Sequence, residues 1–490
     1  MRQTSTGLAS LPAGVRMGRR GLGALFGLPL AVVASTAVLG AAAALQPVLA
    51  VAAVVGLALV PVMLAQPIVG IVLLVFMSFL EEYAGLTGAL SVTKLLGAVL
   101  VAGWFAAVAT RSHGAEGTAL LRREPFLVAA LVGFTAWAAV SLVWAEASDL
   151  ASTSVQRYAL NFMLFPVALL AIRVPRHMLW LVAAFVAGAF AAVLLGLNAG
   201  TLDGEGGRLA GAGINPNQLG SYLVVVLVFL SAFAAARMWS SGVRVAALAG
   251  AVLAALGVFL TLSRGALVGL AVALLVAPIV AGPGRRLGVA ALALTALLAT
   301  VVWFGAVAPP DHVERITNPE RDGGAGRTDL WRVGWRMVED KPVHGVGAGN
   351  YPVASIDYLL RPGATQDDTA IVDDQKVAHN IYLTVLSELG VVGFMLFALI
   401  AVLCLRSALR AARAFAARGD PRMELVSRAL FISLVALLAV GFFSSALYVK
   451  QFWVLLAAAP ALHALARRDG PPTGASRSSH APSGHAPAAG

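Results

Sequence analysis

Long apolar runs, broken by short polar or basic interruptions, fill most of this chain. Leu22 to Leu45, Pro125 to Trp144, Met178 to Asn198 and Val245 to Leu262 each approach or exceed the roughly 20 residues that a helix needs to cross hydrocarbon. Only helices and closed barrels satisfy their backbone in lipid, and the alternating strands of about ten residues that a barrel needs are not seen in the sequence. The pattern therefore predicts an all-α fold: a polytopic transmembrane helix bundle of about fourteen spans, with about twelve as the lower reading. Spans are expected near residues 23–44, 47–64, 67–80, 93–110, 125–144, 158–172, 178–198, 217–236, 245–262, 265–281, 287–308, 380–405, 429–447 and 451–466. The stretch 22–80 is the most crowded, because Pro47, Pro61 and Pro67 can mark either span ends or kinks.

The predicted organisation is a cytoplasmic N-terminus (1–22), a bundle of spans (23–308), a large periplasmic loop with short helices (309–378), further spans (379–466) and a disordered cytoplasmic tail (467–490). Arginines set the orientation, because cytoplasmic loops retain positive charge. Arg16, Arg19 and Arg20, then Arg111, Arg122 and Arg123, then Arg285 and Arg286, then the series from Arg406 to Arg428, all fall on alternate loops. Those loops are assigned to the cytoplasm, which puts both termini on the cytoplasmic side of a bacterial inner membrane. The short outer loops hold only Arg208, Arg264 and Lys450.

Composition agrees with the pattern: 59% of residues are hydrophobic, 12% are charged, and the mean hydropathy is +0.85. The net charge of +11 describes the cytoplasmic face and its anionic lipids, so no nucleic-acid partner is needed to account for it. The single cysteine, Cys404, lies in a predicted span, so no disulfide staples the outer loop. Across the first eleven predicted spans no Asp or Glu lies well inside the hydrocarbon, which disfavours an ion-coupled carrier. No GxxxxGK[ST] loop occurs, which argues against ATP hydrolysis in this chain.

The chemically interesting residues gather at three outer positions. Gly204 to Asn217 is a Gly-rich loop with Arg208, leading into a span. Free N–H groups at a helix start, joined by a guanidinium fork, suit an anion, although a flexible connector with a solvated charge fits as well. Ser263-Arg264-Gly265 places one arginine in a very short turn between apolar runs, which reads either as a tight interfacial turn or as a functional charge. His379-Asn380 stands where the long loop re-enters the membrane. There a histidine serves either as a base near neutral pH or as an interfacial anchor. Within the loop, Gly326-Arg327 precedes Trp331 and Trp335, one helical turn apart, and Lys341 to Asn350 is a turn with several glycines.

Together these segments resemble the O-antigen ligase and O-antigen polymerase superfamily of membrane glycosyltransferases, over roughly Arg208 to Gly393. The resemblance rests on Arg208 and Asn217, on Ser263-Arg264-Gly265, on Gly326-Arg327 with Trp331, on Pro342 to Gly347, and on His379-Asn380 with Gly390 ten intervening residues further on. The ligases' pattern of Arg, three residues, Leu is not met, since Ala212 and Val268 stand at the Leu positions after Arg208 and Arg264. The resemblance implies a metal-independent enzyme without cofactor. It would transfer glycan from a polyprenyl diphosphate donor to an acceptor hydroxyl of lipid A core or of another glycan, at the periplasmic face. Arg208 and Arg264 would stabilise the leaving diphosphate and His379 would take the acceptor proton, with Asn217, Arg327, Lys341 and Asn380 binding substrate. A protein acceptor would make it an oligosaccharyltransferase. The reading from a different class is a polysaccharide flippase or transporter, which would have no need of His379.

Overall fold

A computed structural model describes residues 58–81, 91–110, 122–202, 207–211, 213–317, 324–361 and 377–468. The expected N-terminus, the span 23–44, most of the span 47–64, loop residues 204–206 and the tail beyond 468 lie outside the described residues. The chain divides into two units, Met1–Ala65 and Gln66–Gly490. In the first, residues 58–65 are helical.

In the second unit the described residues form helices without strands. In chain order they are α1 (Pro67–Ser78), α2 (Val92–Ala109), α3 (Pro125–Val140), α4 (Ser148–Phe162), α5 (Leu164–Ala171), α6 (Pro175–Asn198), α7 (Pro216–Ala235) and α8 (Ser241–Leu260). There follow α9 (Arg264–Val280), α10 (Arg286–Val302), α11 (Pro310–Thr317), α12 (Gly324–Asp340), α13 (Tyr351–Leu359), α14 (Ile381–Ala417), α15 (Pro421–Val440) and α16 (Lys450–Arg468). Among the described residues, eight helices are long and apolar enough to cross a membrane, and α1 and α9 are shorter apolar helices. The chain is therefore a multi-pass membrane protein.

The span expected at 158–172 is two helices. α4 begins at Ser148 and ends at Phe162, and α5 restarts at Leu164. Pro166 supplies the reason, since it has no N–H to bond back four residues to Phe162. α14 is also interrupted: Gly390 has φ 65° and ψ −169°, so the helix is two pieces that meet at that residue.

Sequence alone does not rank the apolar helices by depth, but packing does. α16 is buried along nearly its whole length, with Trp453 at 0% exposure, and packs against α5, α14 and α15. A helix that is covered on every side occupies the bundle interior. α10 is the opposite case: Leu287, Leu294 and Val301 are exposed, as suits contact with lipid. α12 and α13 build a small satellite core on the start of α14, from Val333, Met337, Val346, Tyr351, Tyr358, Ala378 and Leu383. That core fixes the chain just before His379.

Candidate functional site

Three helix starts converge at one end of the bundle, and each is set by a short polar side chain. Asn215 caps α7 by accepting from the Gln218 N–H at 2.9 Å, and Ser263 caps α9 by accepting from Ala266 N–H at 3.2 Å. Asn380, itself buried, caps α14 by accepting from Tyr382 and Leu383 N–H at 3.0 and 3.1 Å. Close packing brings these starts together. At Gly220 in α7 an added Cβ would lie 2.8 Å from both Ala266 Cβ and Thr261 Oγ1, so only glycine lets α7 approach α9 this closely. Gly265 lies against Phe443, and Gly441 lies against Ile381 and Tyr382. The α9 start, the end of α15 and the α14 start thus share one end of the bundle. Helix N-termini that face one region make it favourable to anions.

Arg208 is held in this cluster by two hydrogen bonds. Its Nε donates to the Thr261 carbonyl and its Nη2 donates to Asn217 Oδ1, both at 2.9 Å. The neighbouring Leu209 N–H donates to Leu260 O at 2.8 Å, which docks the Gly-rich segment on the C-terminal end of α8. Arg208 and Arg264, far apart in sequence, are therefore joined through the Thr261–Ser263 turn. Asn217 holds the guanidinium in place.

His379 is strained, with φ 49°, a left-handed conformation uncommon for residues other than glycine. The backbone on each side is fixed: Trp331 Nε1 donates to the Ala378 carbonyl at 2.9 Å, and Asn380 caps the helix that follows. The imidazole Nδ1 meets Ser445 Oγ at 3.4 Å. Burial, and secondarily the positive charge of Arg327, hold the imidazole below the ordinary histidine range. Arg327 and Trp331, both on α12, thus belong with His379, and Trp331 also packs on Phe442 and Phe443 with centroids 5.6 and 6.2 Å apart. Lys341 lies elsewhere. It sits fourteen residues beyond Arg327, just past the far end of α12, or about 20 Å of helical rise away.

The spacing between His379 and Gly390 has a packing cause. The segment after Lys341 crosses α14 at its kink, where Val391 N–H donates to Pro342 O at 2.8 Å. Val346 and Gly347 N–H donate to the Ser387 and Glu388 carbonyls at 2.9 and 2.8 Å. A Cβ at Gly390 would run into the Val343 carbonyl. Reading the sequence did not single out Glu388, Tyr448 or the Lys450–Glu81 pair. Glu388 is buried, and its carboxylate accepts from Gly349 N–H at 2.8 Å and from Tyr351 N–H at 3.3 Å. The available signal is an acid inside an apolar run, since Glu388 lies in the twelfth predicted span.

The fold and site define a multi-pass, all-helical membrane protein with arginines and a histidine gathered at one end of the bundle. Residues 249–398 match the family model for O-antigen ligase, in agreement with the resemblance of this chain to the O-antigen ligase and polymerase superfamily. The matched segment runs from within α8 into α14 and includes Arg264, Arg327 and His379, while Arg208 and Asn217 precede it. No curated protein matches the chain.

Proposed function

We propose that this protein transfers a glycan from a polyprenyl diphosphate donor to an acceptor hydroxyl at the periplasmic face of the inner membrane, in lipopolysaccharide ligation or surface-polysaccharide polymerisation. The observation that carries the reading is the junction of Arg208 with the Arg264 turn, at the bundle end where His379 opens α14. As the anomeric carbon–oxygen bond breaks, its electron pair leaves with the diphosphate. Arg208 and Arg264 then meet the developing charge with donors already in position. The acceptor oxygen forms the new bond to the anomeric carbon, and its proton passes to His379 Nε2. A depressed imidazole pKa suits this role, since it keeps the ring neutral and able to accept a proton. In this reading Asn217 orients Arg208, Asn380 fixes the start of α14, and Arg327 tunes His379 and reaches towards the donor. Lys341 is left for glycan further from the diphosphate.

The test uses purified protein in lipid, polyprenyl diphosphate glycan extracted from the cells that make it, and lipid A core or lipid-linked glycan as acceptor. The product is identified by mass. His379→Ala is expected to keep binding polyprenyl diphosphate while transfer falls roughly 10² to 10⁴-fold, the range for a lost general base. Normal transfer by folded His379→Ala would overturn the assignment.

A further inference from the structure

Resting on that reading, we propose that Ser445 is the positioning residue of His379, and that Tyr448 anchors the segment that carries it. The contacts around Ala378 and Asn380 fix the backbone on both sides of His379, but they leave the ring free to turn about its own side-chain torsions. A general base needs one nitrogen presented to the acceptor, and the hydrogen bond made by the other nitrogen sets which one carries the proton. Ser445 Oγ stands 3.4 Å from His379 Nδ1. A hydroxyl there accepts the Nδ1 proton and leaves the Nε2 lone pair open.

Ser445 is exposed, on a short connection between α15 and α16 that would wander without anchors. The anchors are three residues further on. Tyr448 hydroxyl accepts from Tyr158 hydroxyl at 3.2 Å, and the Tyr448 carbonyl accepts from Asn161 Nδ2 at 3.4 Å. Lys450 then bonds Glu81 Oε2 at 2.6 Å and Thr93 Oγ1 at 2.5 Å. Burying a carboxylate is costly, and two backbone N–H groups of the 349–351 turn offset part of that cost for Glu388. That acid ties the loop to the helix that His379 begins, while Tyr448 ties the connection bearing Ser445 to α4.

The test compares Ser445→Ala, Ser445→Thr and Tyr448→Phe in the full-length protein, with polyprenyl diphosphate glycan as donor. Ser445→Ala is expected to lower kcat about 10-fold, as loss of an outer-shell orienting hydrogen bond does, with donor KM unchanged and Ser445→Thr restoring most of the rate. On a His379→Ala background, Ser445→Ala should cost nothing further, because its effect passes through the imidazole. Tyr448→Phe should lower kcat in the same direction without changing donor KM. An unchanged kcat for Ser445→Ala, or an undiminished loss on the His379→Ala background, overturns the inference while leaving the base assignment intact. Normal transfer by His379→Ala removes both.

Discussion

Gly390→Ala tests whether the spacing from His379 is a matter of backbone packing rather than chemistry. With φ at 65°, Gly390 sits where a Cβ costs roughly 1–2 kcal/mol per residue. The added carbon would overlap the Val343 carbonyl and lie 2.5 Å from His344 N, whereas an optimal non-bonded contact is about 3.5–4 Å. A flexible side chain would swing aside, but here the obstacle is main chain. It is pinned by Val391 N–H to Pro342 O at 2.8 Å, Gly345 N–H to Lys341 O at 3.0 Å and Val346 N–H to Ser387 O at 2.9 Å. Overpacking of this kind adds roughly 1–3 kcal/mol, so the expected destabilisation is roughly 2–5 kcal/mol. Reversible unfolding in detergent measures it, and transfer activity reports whether displacing the crossing segment reaches His379 through α12 and α13. Gly97→Ala is the control: Gly97 lies inside α2 with nothing within 4 Å of an added Cβ, so the substitution should be neutral or stabilising by up to about 1 kcal/mol. If Gly390→Ala unfolds with the control and retains full transfer, the packing account of the spacing is wrong.

Arg208→Lys should weaken binding of polyprenyl diphosphate roughly 10-fold or more, because an ammonium cannot reproduce the fixed fork bonded to Thr261 and Asn217; equilibrium binding of a labelled lipid measures it. Asn380→Ala removes an acceptor for two N–H groups and should destabilise by roughly 0.5–2 kcal/mol in the same unfolding assay, with transfer impaired beyond the loss of folded protein. The His379 pKa is depressed, so protonation is disfavoured in the folded protein. The acid limb of the kcat–pH profile should then lie below the ordinary histidine value of about 6.5, and stability attributable to this group should decline as pH falls below that value. Arg327→Gln removes the second cause and leaves burial, so the acid limb should move to higher pH; an unmoved limb would separate Arg327 from the imidazole.

Much of the site could be read from the chain because its signals are local. A guanidinium in a Gly-rich loop, an arginine in a turn between apolar runs and a histidine at a span start each stand out against an apolar background. The two asparagines were legible as residues, but not the partners the fold gives them: Asn217 Oδ1 holds Arg208, and Asn380 Oδ1 caps α14. The break between α4 and α5 was marked by Pro166, yet hydropathy alone carried the span across it.

The sequence by itself determined that this is a multi-pass helical membrane protein, because the length and apolarity of each run decide whether it can lie in hydrocarbon, and that is a property of the run alone. Tertiary structure decided which apolar helix is central and which faces lipid, and which charges work together. Arg208 meets Thr261 across 53 positions of sequence, Lys450 meets Glu81 across 369, and Glu388 gathers the 349–351 turn. No periodicity records such pairings. They exist because a buried charge must find partners wherever the packed helices supply them.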